Sequence, residues 1–262
     1  MSSDLIKILD YVCIIGVFSL WYLYAFVFMQ KEDDDKGKLY KLKSAFLRIH
    51  IPDIVCFIIL GFIIQIAGSY LLTAVLTHLE KAEEYSAIIS GMMTKNPYTV
   101  LYVCLLGPLC EELMFRGLIF SYLKKFLPFI IADIIQALAF GIYHRNIYQG
   151  IYAFIFGMLV GFINHIYGSL FPSVIIHLMI NIAGLYAEMP LTDALGQNVM
   201  GILSLILVIL GGAIVYFMVK KNKNRLKPHF MTCLMVFCAF FASAVSCRIV
   251  SVNAADQTGN HI

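Results

Sequence analysis

Charged residues are scarce in this chain. Only 13% of its 262 residues are Asp, Glu, Lys or Arg, and 61% are hydrophobic, whereas a soluble globular chain has about 25% charged residues. This balance excludes a water-soluble enzyme, a nucleic-acid-binding protein and a disordered chain. The apolar stretches are continuous and do not alternate with polar residues, which disfavours a β-barrel. The sequence therefore predicts an all-α, polytopic membrane protein with no nucleic-acid partner.

Other features are also missing from the sequence. The seven Cys residues form no C-x-x-C or zinc-finger spacing, so we interpret them as small hydrophobic side chains and not as a disulfide framework. No internal repeat or low-complexity segment is visible. The first apolar run lacks a preceding basic region and an A-x-A cleavage site, and we expect it to be an uncleaved membrane span.

Long apolar runs supply the fold prediction. A spanning helix requires about 20 mostly apolar residues. The runs that meet this requirement cover residues 5–29, 51–76, 98–123, 127–145, 148–166, 169–189, 199–219 and 230–252. We therefore predict about eight transmembrane helices, with a tight antiparallel hairpin at 127–166. The predicted domains are a first helix and charged cytoplasmic loop at 1–50, a core at 51–219, and a basic loop, last helix and tail at 220–262.

The distribution of basic residues predicts the orientation. Cytoplasmic loops are enriched in Lys and Arg. The basic residues concentrate in the segment 31–50, in the turn at 124–125 and in the segment 220–227, whereas the alternate loops contain only Lys81, Lys95 and Arg145. These three basic segments should face the cytoplasm, with both termini outside.

Ionisable residues inside predicted spans are the most informative positions, because each costs about 2.5–3.5 kcal/mol at the centre of a membrane helix. Asp53 lies near a helix end, where we expect it to reach the membrane interface. The helix at 98–123 contains Glu111, Glu112 and Arg116 near its middle. Glu112 and Arg116 are four residues apart and can form a salt bridge on one helix face. Glu111 points about 100° away from Glu112, so we predict that it is free for chemistry.

Two further helices contribute polar side chains. Asp133, Gln136, Phe140 and His144 share one stripe of the helix at 127–145. His177 and Asn181 are four residues apart in the helix at 169–189. Between these helices, Gly157 and Gly161 form a G-x-x-x-G pair, which is typical of close helix packing.

Together these groups suggest hydrolysis. A Glu and a His can hold and deprotonate a water molecule. A His–Asn pair can stabilise the oxyanion that forms when this water attacks a carbonyl group. The combination predicts an amide hydrolase that works in a water-containing cavity of the bilayer. A nucleophilic Cys110 is disfavoured, because the neighbouring carboxylate of Glu111 opposes thiolate formation.

At these residues the sequence resembles the CAAX-protease and bacteriocin-processing intramembrane proteases, also called the CPBP or Abi family, which includes the Ras-converting CAAX endopeptidases. The family motifs E-E-x-x-x-R, F-x-x-x-H and H-x-x-x-N stand here at residues 111–116, 140–144 and 177–181, in the same order. The resemblance covers residues 98–189.

The resemblance implies a glutamate-dependent endopeptidase. By position, Glu111 is the general base and His144 orients the water, while His177 and Asn181 form the oxyanion hole. Glu112 and Arg116 form the supporting ion pair. The family has been described as metal-dependent on the basis of its Glu and His residues, but we predict no cofactor. A zinc ion held by Glu111, His144 and His177 is chemically possible but disfavoured, because the sequence contains no H-E-x-x-H motif.

The predicted partners are membrane lipid and a peptide or a prenylated or otherwise lipidated protein substrate. The resemblance suggests processing of bacteriocins or peptide signals, bacteriocin immunity, or maturation of prenylated proteins. The short chain and compact loops favour a bacterial plasma membrane. A non-catalytic immunity or scaffold protein, in which the polar groups serve packing, is the alternative.

Overall fold

The computed structural model describes residues 49–78 and 97–222, together with residues 9, 12, 13, 16 and 17. Every element within residues 49–78 and 97–222 is helical, so the all-α prediction is confirmed there. The helices are α1 (Ile51–His78), α2 (residues 97–123), α3 (Phe129–Tyr143), α4 (Ile147–Tyr167), α5 (Phe171–Tyr186) and α6 (Glu188–Lys221). They correspond to six of the predicted spans. The spans predicted at 5–29 and 230–252 fall outside the continuous described ranges, so a count of about eight stays a prediction.

Three of the described helices are long and apolar enough to cross a membrane. They contain the segments Ile51–Thr73, Ile147–Tyr167 and Glu188–Lys221. The helices α3 and α5 are also apolar but have only 15 and 16 residues, fewer than the roughly 20 that a perpendicular span requires.

Helix α2 alternates between two helix types. Its α-helical pieces are Pro97–Leu101, Gly107–Glu112 and Ser121–Leu123, and its π-helical pieces are Tyr102–Leu106 and Leu113–Phe120. The N–H group of Gly107 donates to the carbonyl of Tyr102, five residues earlier. The next residue, Pro108, has no N–H group to donate. Glu111 and Glu112 therefore lie on a short α-helical piece between two π-helical pieces, an irregularity that is frequent at functional sites.

The connection between α3 and α4 is short and well capped. Arg145 adopts a left-handed conformation with a φ of 54°, and its N–H group donates to the carbonyl of Ile142. Asn146 then caps α4, because its side-chain oxygen accepts hydrogen bonds from the N–H groups of Tyr148 and Gln149. This turn fixes the position at which α3 ends, directly beside His144.

The chain divides into two compact units. The first comprises Met1–Ile58 and Met93–Met179, and the second comprises Ile59–Met92 and Ile180–Ile262. In the second unit Ile66, Tyr70 and Met200 form a buried cluster, and the carboxylate of Glu188 accepts hydrogen bonds from Gln65 and Ser69. Helix α6 is interrupted at Gly196, whose φ of 71° is not helical.

In the first unit, Asp53 lies in the first turn of α1, and its contacts are with the protein. Asp53 is buried, and Tyr167 donates to one of its carboxylate oxygens over 2.9 Å. The N–H group of His50 donates to the other oxygen over 2.8 Å. These two donors satisfy the carboxylate inside the protein, so it does not need water at the interface.

Candidate active site

The adjacent residues Glu111 and Glu112 have different surroundings. The side chain of Glu112 is fully buried, whereas that of Glu111 is 15% exposed. Arg116, also fully buried, places Nη1 2.9 Å from Glu112 Oε1. The ion pair that the four-residue spacing makes available is therefore formed, and Glu112 neutralises the guanidinium inside the helix bundle.

His177 lies between the two carboxylates. Its Nδ1 is 2.8 Å from Glu112 Oε1, and its Nε2 is 3.6 Å from Glu111 Oε2. A carboxylate in an ion pair only accepts hydrogen bonds, so Nδ1 carries a hydrogen and donates it to Glu112. This contact fixes the plane of the ring and directs Nε2 towards Glu111. Helical spacing did not reveal it, because the two residues are 65 positions apart.

His144 is oriented by its own helix. It follows the last residue of α3, and its Nδ1 lies 2.9 Å from the carbonyl oxygen of Phe140. Because a carbonyl oxygen only accepts, Nδ1 carries the hydrogen. In the neutral ring, Nε2 therefore has the free lone pair and is the atom able to accept a proton or a hydrogen bond.

Phe140 contacts both imidazole rings. Its ring centroid is 4.8 Å from that of His144 and 5.8 Å from that of His177, and both contacts are edge-to-face. The guanidinium carbon of Arg116 lies 4.4 Å from the same centroid. His177 Nε2 in turn lies 3.6 Å from Glu111 Oε2. The structure thus brings Glu111, His144 and His177 into one neighbourhood, with Phe140 packed between the rings.

Asn181 lies four residues after His177 on α5 and is half-buried. This spacing puts the two residues on one helix face, one turn apart. Asn181 belongs to the second compact unit, whereas Glu111, His144 and His177 belong to the first.

Residues 94–183 match the family model described as type II CAAX prenyl endopeptidase Rce1-like. The resemblance to the CAAX protease family is confirmed. The matched segment contains the three motifs, at residues 111–116, 140–144 and 177–181, to which Glu111, His144 and His177 belong. Neither a curated protein nor a solved structure matches the chain. Together with three helices long enough to span a bilayer, the match indicates an integral membrane protein.

A second buried polar cluster consists of Asp133, Gln136 and the carbonyl group of Gly157, and it contacts Arg116. Gln136 donates through Nε2 to Asp133 Oδ1 over 2.8 Å and to the carbonyl oxygen of Gly157 over 3.0 Å. Arg116 Nη2 lies 3.4 Å from the same carbonyl oxygen. In the turn after α2, burial lowers the pKa of Lys124, an effect that the nearby charge of Asp133 opposes. The helical stripe at 133–144 placed Asp133 and Gln136 on one face, but sequence reasoning gave them no role.

The donor set does not form a ready metal site. Across the described part of the chain, no group of three or more His, Cys, Asp or Glu side chains is arranged to hold a metal ion. The Nδ1 atoms of His144 and His177 both donate hydrogen bonds, an arrangement in which a histidine can bind a metal through Nε2. The zinc ion held by Glu111, His144 and His177 therefore stays an alternative that the sequence disfavours.

Proposed function

We propose that the protein is an intramembrane, glutamate-dependent endopeptidase. It hydrolyses a peptide bond of a membrane-associated or lipid-modified protein or of a peptide precursor, in CAAX-type or in bacteriocin- or pheromone-type processing. The observation that carries this proposal is the position of His177 between Glu112, which is paired with Arg116, and Glu111, which faces Nε2 of the same imidazole. One acid orients the imidazole, and the other remains available for chemistry.

Glu111 is the general base in this proposal. It takes a proton from a water molecule that also donates a hydrogen bond to Nε2 of His144. The bond between His144 Nδ1 and Phe140 supports this assignment, because it leaves the lone pair of the neutral ring on Nε2. The partial exposure of Glu111 agrees with access of water to the base. The resulting hydroxide attacks the carbonyl carbon of the scissile peptide bond.

His177 and Asn181 stabilise the oxyanion that this attack creates. His177 donates Nδ1–H to Glu112, so a second donation through Nε2 requires the doubly protonated imidazolium. The carboxylate of Glu112, 2.8 Å from Nδ1, holds the ring in the orientation that this donation requires. Asn181 contributes its amide N–H from one helical turn further along α5. Positively charged donors aimed at a developing oxyanion are among the strongest sources of rate enhancement.

Collapse of the tetrahedral intermediate completes the reaction. The C–N bond breaks as the oxyanion re-forms a carbonyl, and the protonated Glu111 transfers its proton to the departing nitrogen. The products are a new carboxyl terminus and a free amine, and Glu111 returns to its ionised state. No covalent intermediate and no redox step is involved.

The substrate is presented from the lipid bilayer in this proposal. The apolar surface of the chain and the family description favour a peptide with a prenyl or other lipid group near its C-terminus. We place the protein in a bacterial plasma membrane, in contact with membrane lipid.

The proposal is tested with the full chain purified in detergent micelles. The probe is a farnesylated peptide that ends in Cys-aliphatic-aliphatic-X, and a matched unprenylated peptide is assayed beside it. Release of the C-terminal fragment is measured by mass spectrometry. We expect cleavage by the wild-type protein and a loss of about 10²- to 10⁴-fold in kcat for Glu111→Gln. The matched control is Asp193→Asn, because Asp193 is exposed on α6 and its change should leave cleavage intact.

The competing hypothesis is a non-catalytic immunity or scaffold protein. It predicts that the wild type binds the peptide without cleaving it and that Glu111→Gln binds equally well. This outcome would overturn the protease proposal.

A further inference from the structure

The buried cluster of Asp133, Gln136 and the Gly157 carbonyl has no part in the chemistry described above. All three belong to the first compact unit, and Asp133 and Gln136 are only 4% and 0% exposed. Burying a polar group costs free energy unless its hydrogen bonds are satisfied. The presence of this buried cluster therefore requires an explanation.

The cluster is connected to the proposed site by direct contacts. Gln136 and Arg116 both donate to the carbonyl oxygen of Gly157, over 3.0 and 3.4 Å. Arg116 also donates to Glu112, and Glu112 accepts from His177. A continuous line of polar contacts thus runs from Asp133 on α3, through the backbone of α4 and Arg116 on α2, to His177 on α5.

The hydrogen bonds of Arg116 show how this line of contacts affects His177. A guanidinium can bind a carboxylate with two parallel hydrogen bonds. Here Nη1 contacts Glu112 Oε1, while Nη2 is directed to Gly157. Two acceptors, Glu112 Oε1 and the Gly157 carbonyl oxygen, therefore fix the position of the guanidinium. The oxygen Oε1 also accepts from His177 Nδ1, so the atom that positions Arg116 is the atom that orients His177.

We propose that Gln136, supported by Asp133, is a positioning residue of the active site: it binds the Gly157 carbonyl that anchors Arg116, and Arg116 in turn fixes the Glu112 oxygen that accepts from His177. This inference rests on the proposed function for its kinetic consequence. Gln136 also lies one helical turn before Phe140, which contacts both imidazoles. It therefore ties the helix that ends at His144 to the contacts that orient His177.

Glycine on α4 makes room for this cluster. A Cβ atom built on Gly161 would overlap Asp133 Oδ1 and lie 2.6 Å from Gln136 Nε2. Two buried polar atoms beside the cluster, Gln136 Oε1 and Arg116 Nε, have no hydrogen-bond partner among the described residues. The amide of Gln136 is thus fixed entirely by its two donated bonds, which makes it sensitive to substitution.

The test compares Gln136→Met with Tyr167→Phe in the full chain. Methionine keeps the approximate length of glutamine but removes both donated bonds. Tyr167→Phe is the matched control, since it removes a buried hydrogen bond to Asp53 at the last residue of α4. We expect Gln136→Met to lower kcat on the farnesylated peptide about tenfold with KM changed less than twofold. The control should lower thermal stability similarly and leave kcat unchanged.

A second measurement does not depend on activity. In protein labelled with ¹⁵N-histidine, the Nδ1–H signal of His177 is assigned by its loss in His177→Gln. We expect this signal to shift in Gln136→Met and to stay in place in Tyr167→Phe. If the wild type cleaves no peptide but this shift occurs, the proposed chemistry fails while the positioning role stands.

Two results would overturn the positioning role. One is cleavage by the wild type and a decrease in kcat for Gln136→Met no larger than that of the control, with an unshifted His177 signal. The other comes from Asp133, in case Gln136→Met does not fold. Asp133→Asn keeps an oxygen that can accept from Gln136 and should retain wild-type kcat, whereas Asp133→Leu should lose activity; equal kcat in both variants contradicts the proposal.

Discussion

The carboxylate of Glu112 and the imidazole of His177 are joined by a 2.8 Å hydrogen bond across 65 residues of sequence. This bond alters the division of labour expected for the two adjacent glutamates. Glu112 stabilises the buried guanidinium of Arg116 and at the same time orients the histidine proposed to bind the oxyanion. A single oxygen atom, Oε1, accepts both hydrogen bonds, so structural support and chemistry are coupled at this residue.

The first prediction concerns the buried ion pair. Glu112→Leu leaves the guanidinium of Arg116 buried without its carboxylate, and we expect a loss of about 3–5 kcal/mol in the free energy of unfolding. The double variant Glu112→Leu/Arg116→Met removes both charges and should be more stable than Glu112→Leu alone. Reversible unfolding in mixed detergent micelles measures these two variants and the single variant Arg116→Met. A double variant as unstable as the sum of the two single changes would show that the charges do not compensate each other.

Some of this site follows from sequence because it is local. The Glu112–Arg116 pair is set by four-residue helical spacing, and the predicted and observed limits of α2 differ by one residue. The His177 contact with Glu112 depends on how α5 packs against α2, which no spacing within one helix encodes. The burial of Asp53 likewise depends on Tyr167, 114 residues away.

The fold likewise has features that the sequence predicted and features that it did not. Apolar run length predicted the approximate positions of the six described helices, because a spanning helix needs a run of about 20 apolar residues. It missed the first turns of α6, which begins at Glu188 and not at 199, because the segment before Gly196 is polar. It also missed the π-helical pieces of α2, since a uniform period of 3.6 residues was assumed although Gly107 and Pro108 were visible.

The second prediction tests which nitrogen of His144 is used. Asparagine places its amide near the position of Nδ1, whereas glutamine places its terminal atoms near Nε2. Because Nε2 is the proposed acceptor of the water hydrogen bond, we expect His144→Gln to retain about tenfold more kcat than His144→Asn. Cleavage of the farnesylated peptide measures the difference. A more active His144→Asn would show that the Nδ1 bond to Phe140 matters more than the free nitrogen.

The third prediction compares the two glycines of the G-x-x-x-G pair. A Cβ on Gly161 would overlap the carboxylate of Asp133, whereas the nearest atoms to a Cβ on Gly157 would belong to Ala137 and Phe140, at 3.2–3.3 Å. We expect Gly161→Ala to cost about 1–3 kcal/mol of stability and Gly157→Ala to cost less. Thermal unfolding in the same detergent provides the comparison. Equal losses would indicate that Asp133 moves away readily and does not hold its position in the cluster.

The last prediction concerns the left-handed residue beside His144. Arg145 has a φ of 54°, a conformation that costs a residue with a Cβ atom roughly 1–2 kcal/mol and glycine very little. Glycine also has more freedom to lose on folding, so we expect Arg145→Gly to raise the free energy of unfolding by about 0.5–1 kcal/mol. Arg145→Ala keeps the Cβ atom and should give no gain, which makes it the matched control. Arg145 is exposed, so neither change disturbs the interior. A gain with alanine equal to that with glycine would mean that the arginine side chain, and not its backbone conformation, destabilises the turn.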